Sequence, residues 1–165
     1  MKNLTLILAA FALLALGAAR AEGNNRLGVG ANYWMVIDDI ESDVDDDGFS
    51  YLASYQHRGG LLGVELAAEF FPDRFGQDAW APQAYIILGS GIYVAAGAGM
   101  LSIDGEWADD PFYALKAGLN FEILPSLYLD ISANYRFSEK EQLEDDSSDI
   151  DTDTVFLGAA ARLGF

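Results

Sequence analysis

The chain of 165 residues has the length of one domain, and its 52% of apolar residues exclude an intrinsically disordered protein. Its formal charge is −17, from 9 Lys+Arg against 26 Asp+Glu, which argues against nucleic acid as a partner. The sequence contains no cysteine, so the fold depends on neither a disulfide nor a thiolate metal site.

Residues 1–21 have the pattern of a secretory signal peptide. Lys2 supplies the positive start, Leu4–Leu16 the apolar core, and Ala19–Ala21 the small-x-small cleavage site. The alternative is a membrane-anchoring helix, but this apolar run is short for a span of about 20 residues. We therefore predict cleavage after Ala21, which leaves 7 basic against 26 acidic residues and a net charge of −19.

From Glu22 onward, apolar residues alternate with polar or small ones in segments of about ten residues, which is the period of a β-strand. The eight predicted strands are Arg26–Val36, Phe49–Arg58, Leu61–Phe71, Ala81–Leu88, Ile92–Ser102, Phe112–Ile123, Leu127–Phe137 and Thr154–Phe165. In the last strand, every second residue from Phe165 back to Val155 is apolar, and the alternate positions include Arg162. The fourth strand has the least regular alternation.

The connections between these strands alternate in length. Short turns are predicted after the second, fourth and sixth strands, at Gly59-Gly60, Gly89-Ser90-Gly91 and Leu124-Pro125-Ser126. Loops of roughly seven to sixteen residues follow the other strands, and the loop after the third is predicted at Pro72–Trp80. Outer-membrane barrels have short periplasmic turns and longer outer loops. The lengths of the connections therefore predict that the three short turns lie on the periplasmic side of the membrane and the longer loops on the outer side.

The apolar face carries no Asp, Glu, Lys or Arg on any predicted strand. A charge there would cost about 2–4 kcal/mol at the bilayer midplane, whereas a soluble barrel is polar outside and apolar within. Aromatic residues cluster near both strand ends, as expected at membrane interfaces. These are Tyr33, Tyr51, Phe70, Tyr113, Tyr135 and Phe137 near the loops, and Tyr55, His57, Phe121 and Phe165 near the turns. Residues 22–165 are therefore predicted to form an all-β domain, an eight-stranded antiparallel up-and-down transmembrane barrel.

The signal peptide, the eight alternating strands, the long outer loops and the terminal Phe165 resemble the small outer-membrane barrels of the OmpA/OmpX kind, in the opacity-protein-like porin family. The resemblance implies a lumen filled by side chains, a place in the Gram-negative cell envelope, and roles in envelope integrity, adhesion or surface interaction. It also implies outer-membrane lipids and lipopolysaccharide as partners, with the assembly machinery recognising the strand that ends in Phe165. The chain departs from OmpA in having no peptidoglycan-binding domain, and we expect a monomer.

The predicted inward face carries charges of both signs. These are Arg26, Arg58, Lys116, Arg136 and Arg162, against Glu65, Glu69, Glu122 and Asp130. Their near-balance predicts a buried ion-pair network, in which Glu65 and Glu69 face Arg58, Arg136 or Arg162 across the lumen. Eight strands leave room only for side chains, which favours a structural plug. The alternative is a gated pore or a proton path, because the lumen glycines leave space around the long cations.

The predicted outer loops hold 21 of the 26 acidic residues. Asp43, Asp45 and Asp47 match the D-x-D-x-D-G opening of a calcium loop, but Ser54 stands where an EF-hand needs its glutamate. Asp149 and Asp151 repeat the same spacing in the last loop. These five carboxylates are the candidate ligands for Ca²⁺ or Mg²⁺. The alternative is a set of solvated, mutually repelling loops that attract divalent ions only diffusely.

The sequence carries no sign of catalysis. Barrels resembling PagL or PagP use a histidine with serine or other partners near the outer leaflet, whereas His57 is predicted near the periplasmic end and facing lipid. No G-x-S-x-G motif, phosphate loop or histidine pair is present. The prediction is a non-enzymatic outer-membrane protein with a structural or surface-interaction role and no cofactor beyond a loop-bound cation. The alternative is a small porin-like channel for ions or small solutes.

Overall fold

The structure is a computed structural model, and it describes residues 24–36, 47–74, 77–103, 105–108, 110–138 and 154–165. The predicted signal peptide and most of the first and last acidic loops lie outside these ranges. No helix within the described ranges has the length and apolarity needed to cross a membrane.

Alternation of apolar with polar or small residues produces strands throughout the described chain. They are β1 (Asn25–Val36), β2 (Asp47–Gly59), β3 (Leu62–Arg74), β4 (Gln77–Gly89), β5 (Ile92–Gly99), β6 (Ser102–Ile103), β7 (Glu106–Trp107), β8 (Phe112–Leu124), β9 (Leu127–Ser138) and β10 (Thr154–Gly164). Eight of these strands are long, and β6 and β7 form a short hairpin between β5 and β8.

The eight long strands close into an antiparallel up-and-down barrel. Each pairs with its neighbours along the chain, β3 pairs with β4, and β10 pairs with β1 to complete the cylinder. The last pairing runs from Arg26 opposite Gly164 to Val36 opposite Thr154. Closure leaves neither of these strands with an unpaired edge. The predicted fold class is confirmed.

Two-residue turns connect β2 to β3, β4 to β5 and β8 to β9, all at one end of the barrel, which we call the turn end. The first turn is Gly60-Leu61, one residue later than predicted, and Gly60 has a φ of +73°. The chain termini of the barrel also lie here, because the Phe165 N–H donates to the Asn25 carbonyl at 2.9 Å. The other connections between long strands lie at the opposite end, the loop end, and all of them except the one between β3 and β4 are longer.

The two faces of the barrel wall differ as the alternation predicted. Side chains such as Leu66, Val94 and Leu119 are exposed on the outside. Alternate residues on the same strands point into the lumen, where Glu65 and Glu69 are 0% exposed. The fourth strand follows the same rule, with Ile87 buried in the lumen and its neighbour Ile86 exposed.

The connection after the third strand is shorter than predicted. Residues 72–80 do not form a nine-residue loop, because β3 continues to Arg74 and β4 begins at Gln77. Phe71 pairs with Ala79 inside the barrel, and both side chains are fully buried, which extends the sheet. Pro72 falls at the register shift, where its missing N–H breaks no ladder bond.

The fifth predicted strand is interrupted. β5 ends at Gly99, and the chain resumes at β6, which leaves the β5–β8 ladder and pairs with β4 and β7. The acidic segment 104–110 therefore contains one strand of a hairpin, with Gly105 at a φ of +85°. Because β2 and β4 begin earlier than predicted, Asp47 and Asp78 also lie on strands, both exposed at the loop end.

Candidate functional site

The lumen is the densest concentration of charged side chains in the described chain, and Glu65 is at its centre. The Arg162 Nη2 atom donates to Glu65 Oε1 at 2.9 Å, and the Lys116 ammonium lies 3.3 Å from Oε2. The Gln56 amide donates to the same Oε2 at 3.0 Å. Glu65 thus bridges two cations from β8 and β10, on the opposite wall.

Glu69 forms a second centre nearer the loop end. It pairs with Arg136 and accepts hydrogen bonds from Ser50, Asn32 and Gln83, the last at 2.9 Å. Four donors from four different strands therefore surround a carboxylate that has no exposure to solvent. Such a carboxylate is stable only with its partners in place, because an unpaired buried charge is costly.

Asp130 is the third carboxylate of the lumen and lies nearer the turn end. The Tyr93 hydroxyl donates to Oδ1 at 2.8 Å, the Asn120 amide donates to Oδ2 at 3.1 Å, and Arg162 Nη1 lies 3.4 Å from Oδ1. Arg162 therefore links Asp130 to Glu65. The centres at Glu65 and Asp130 thus form one network across the barrel.

Arg26 and Arg58, both candidates for this network, have other partners. Arg26 donates to the Asn120 amide oxygen at 2.6 Å, and Arg58 donates to the Gly89 carbonyl at 2.9 Å. Glu122, also assigned to the inward set, is exposed near the turn end and accepts the Ser126 N–H at 2.8 Å. The lumen therefore separates into paired charges at its middle and two arginines at its turn end.

Inward-facing glycines make room for the large lumen side chains. A methyl group on Gly28 would lie 2.5 Å from Arg162 Cγ, and one on Gly63 would lie 2.9 Å from Arg58 Cδ. At Gly97 and Gly118, the nearest side chains are the rings of Tyr85 and Tyr93 instead. The glycines predicted to accommodate the cations thus accommodate aromatic rings as well.

An apolar cluster occupies the lumen at the loop end. Its buried members are Trp34, Phe71, Ala79, Ala81 and Phe156. The Arg136 guanidinium, which pairs with Glu69, lies 3.8 Å from the centre of the Phe156 ring on the other side. The sequence did not predict this cluster, because Trp34 and Phe156 lie on strand faces whose other residues are polar or small.

The charged side chains leave little free volume at the middle of the lumen. The cavity among the central charged side chains measures about 20 Å³, which is room for about one water molecule. The wall residues around it include Glu65, Glu69, Asp130 and Arg162, so the charged network itself fills the barrel.

The outer face has aromatic pairs near the loop end. Tyr33 and Phe49 have ring centres 5.3 Å apart, and Phe70 and Trp80 are 4.9 Å apart. Near the turn end, the Tyr55 hydroxyl and the His57 Nδ1 atom contact the Asn25 amide oxygen, at 2.8 and 2.9 Å. His57 is exposed on the outer wall, away from the lumen.

Four of the five candidate metal ligands, Asp43, Asp45, Asp149 and Asp151, lie outside the described residues. The fifth, Asp47, is exposed at the start of β2 and accepts a hydrogen bond from the Tyr33 hydroxyl. Among the described residues, no three histidine, cysteine or carboxylate side chains are grouped as metal ligands would be.

Several solved structures share this architecture, and two of them are small outer-membrane barrels. Neisserial surface protein A, NspA, aligns with a TM-score of 0.61 at 14% identity, over 88% of this chain and all of that one. The N-terminal β-barrel domain of Pseudomonas aeruginosa OprF aligns with a TM-score of 0.55 at 15% identity, over 87% of this chain and all of the domain. No protein-family model and no curated protein sequence matches the chain. At these identities the likeness is one of fold, and the chain has the fold of the small eight-stranded outer-membrane barrels.

Proposed function

We propose that the protein spans the bacterial outer membrane as a non-enzymatic barrel with a structural or surface-interaction role. The observation that carries this proposal is the inverted distribution of polarity. Glu65 and Glu69 are completely buried in the lumen, whereas Ile92 on the outer wall is 77% exposed. An exterior of this kind is stable in contact with lipid and would aggregate in water.

The turn end faces the periplasm and the loop end faces the cell exterior. The short turns and long loops support this orientation, since it is the arrangement in outer-membrane barrels. The assembly machinery recognises β10 and its terminal Phe165, and lipopolysaccharide and outer-membrane lipids surround the wall. Protease added to intact cells is expected to cut in the loop between β9 and β10 and to spare the two-residue turns. Cleavage at the turns instead would reverse the orientation.

Folding into detergent tests the barrel itself. The refolded protein should migrate faster in an unheated electrophoresis sample than in a boiled one, because the closed barrel resists unfolding by the detergent. Light scattering of the same sample is expected to give the mass of one chain. Identical mobility before and after boiling, under conditions that refold a control barrel, would contradict the proposal.

The lumen supports a structural role over a porin-like channel. The charged network leaves a cavity of about 20 Å³, and the apolar cluster with Trp34, Phe71 and Phe156 obstructs the loop end. A hydrated ion needs a continuous water-filled path, which larger barrels possess and eight-stranded ones lack. Single-channel recordings of the refolded protein in planar bilayers should show no conductance steps. Reproducible steps that vanish after boiling would favour the channel.

The position of His57 supports the absence of catalysis. Its ring lies on the outer wall near the turn end, where it contacts the Asn25 amide. In this position it acts as an interfacial side chain and not as a base for a nucleophile. Incubation with phospholipid and lipopolysaccharide is expected to release no fatty acid, and release that depends on His57 would contradict the proposal.

Divalent cations are proposed to bind the acidic loops and to bridge them to lipid phosphates. Asp47, the described member of the candidate set, is exposed at the loop end of the barrel, directly after the loop between β1 and β2. Calcium titration by calorimetry should show saturable binding that is lost when Asp43, Asp45 and Asp47 are changed to Asn. The matched control changes Asp104, Asp109 and Asp110 to Asn and removes the same charge from another loop. Equal loss of calcium binding in both variants would contradict a specific site, because it would show that the acidic loops attract divalent cations only diffusely.

A further inference from the structure

The charges in the lumen do not balance. Among the lumen side chains that the structure describes there are three carboxylates and five cations. The carboxylates are Glu65, Glu69 and Asp130, and the cations are Arg26, Arg58, Lys116, Arg136 and Arg162. Three of the cations lie within 4.0 Å of a carboxylate. Arg26 and Arg58 form no such pair with any described residue.

The partners of these two arginines are all neutral. Arg26 donates to the Asn120 amide oxygen and stacks 3.7 Å from the centre of the Tyr128 ring. Arg58 donates to the Gly89 carbonyl, and its guanidinium lies 5.0 Å from the centre of the Tyr93 ring. These contacts satisfy individual N–H groups, but they leave both guanidinium groups without a described carboxylate at ion-pair distance.

The nearby carboxylates are already engaged. Asp130 accepts hydrogen bonds from Tyr93 and Asn120 and pairs with Arg162. Glu122 is exposed at the turn end, and its carboxylate accepts the Ser126 N–H at 2.8 Å. Neither carboxylate is within ion-pair distance of Arg26 or Arg58.

Arg58 is 5% exposed, and its Nη2 atom is buried with no hydrogen-bond partner among the described residues. On β2 it is two residues from Gln56, which lies opposite Arg26 on β1, so the two like charges are neighbours inside the barrel. A buried guanidinium with an unused donor and an uncompensated charge is costly. An anion beside Arg58 would accept a hydrogen bond from the unused donor and would neutralise the positive charge.

We propose that a small inorganic anion binds at the turn end of the lumen, between Arg26 and Arg58. The Arg26 and Arg58 guanidinium groups lie over the Tyr128 and Tyr93 rings, at 3.7 and 5.0 Å from the ring centres, and their N–H donors hold the anion. Arg26 is partly exposed at this end, which gives the anion a route from the solvent at the turn end. The anion completes the charge balance that the three lumen carboxylates leave open.

Chloride is the probe for this site. The refolded barrel is unfolded with urea in sodium chloride and in sodium gluconate at equal ionic strength, because gluconate is too large to enter between the arginines. Chloride at ten times its dissociation constant should raise the folding equilibrium constant about 11-fold over gluconate. Arg58→Gln, which keeps donors but removes the charge, should abolish the difference. The control Glu122→Gln, at the rim of the same end, should retain it.

A second measurement keeps the proposal testable if Arg58→Gln does not fold. Crystals grown in sodium bromide should show an anomalous peak within hydrogen-bond distance of Arg58 Nη2, and Arg26→Gln should remove that peak. Equal stability in the two salts, with no bromide at this place, would overturn the proposal, since water would then solvate the arginines. A chloride effect of the same size in all variants would also overturn it, because it would be a general salt effect.

Discussion

The ion pairs of the lumen join residues that are far apart in the sequence. Arg162 and Glu65 are 97 positions apart, and Arg136 and Glu69 are 67 apart. The alternation of the strands places all four inside, so their burial follows from the sequence. Which carboxylate meets which cation depends on the register of strands on opposite walls, and the expected alternatives for Glu65 and Glu69 included Arg58.

Breaking the pair at Glu69 tests its contribution. Glu69→Gln leaves Arg136 buried without its counter-charge, and should lower the free energy of unfolding by about 3–5 kcal/mol. The double variant Glu69→Gln with Arg136→Met removes both charges and should recover much of this loss. Urea unfolding in detergent measures both. A single variant as stable as the wild type would show that the pair contributes nothing.

A methyl group at Gly28 tests the packing of glycine against arginine. Its position 2.5 Å from Arg162 Cγ forces the arginine away from Glu65, which should cost about 1–3 kcal/mol of stability. Gly59→Ala is the matched control, because the nearest atom to its added methyl group is 3.7 Å away. Equal effects of the two substitutions would contradict the packing argument.

The strands are longer than the membrane requires. Thirteen residues at about 3.3 Å each, tilted by about 40°, rise about 33 Å, more than the apolar band of about 25 Å. Charged residues are exposed near the strand ends, Asp47 and Asp78 at the loop end and Glu122 at the turn end. This explains how charged residues occur on strand ends while the middle of the outer wall stays apolar.

The turn between β4 and β5 depends on one glycine. Gly89 has a φ of +113°, and an added methyl group would lie 2.3 Å from the Ile92 carbonyl oxygen. Gly89→Ala should therefore lower stability by about 1–3 kcal/mol, from backbone strain and steric conflict together. In the same turn, Gly91→Ala meets nothing closer than 3.8 Å and is expected to stay within about 0.5 kcal/mol. The comparison is made by urea unfolding, and a larger effect at Gly91 would be inconsistent with this geometry.

The environment of the barrel determines which face of its sheet is outside. Apolar residues cover the wall, and the polar residues that a soluble barrel would expose are packed into the lumen. The charged network and the apolar cluster together replace the apolar core of a soluble protein. In the proposed membrane location, the barrel is therefore stabilised by lipid outside and by paired charges inside.

A charge on the outer wall tests the membrane contact, and its effect should depend on depth. Ala117→Arg, near the middle of β8, should make folding into phospholipid vesicles less favourable by about 2–4 kcal/mol. Leu124→Arg, at the turn end of the same strand, should cost about 0–1 kcal/mol. Equal and small effects at the two depths would indicate that the wall does not contact lipid.

The sequence alone predicts the fold class, the eight long strands and the side of the wall that most side chains take, because a period of two assigns successive residues to opposite faces. The tertiary structure decided the rest. Phe71 and Ala79 extended a hairpin where Pro72 indicated a loop, because their burial inside the barrel outweighs the local turn preference. The pairing of Glu65 with Arg162, and the lack of a described carboxylate partner for Arg58, follow from closure of the barrel. The alternation of side chains is a local property of each strand. The distance between side chains on opposite walls is determined only when β1 pairs with β10 and closes the barrel.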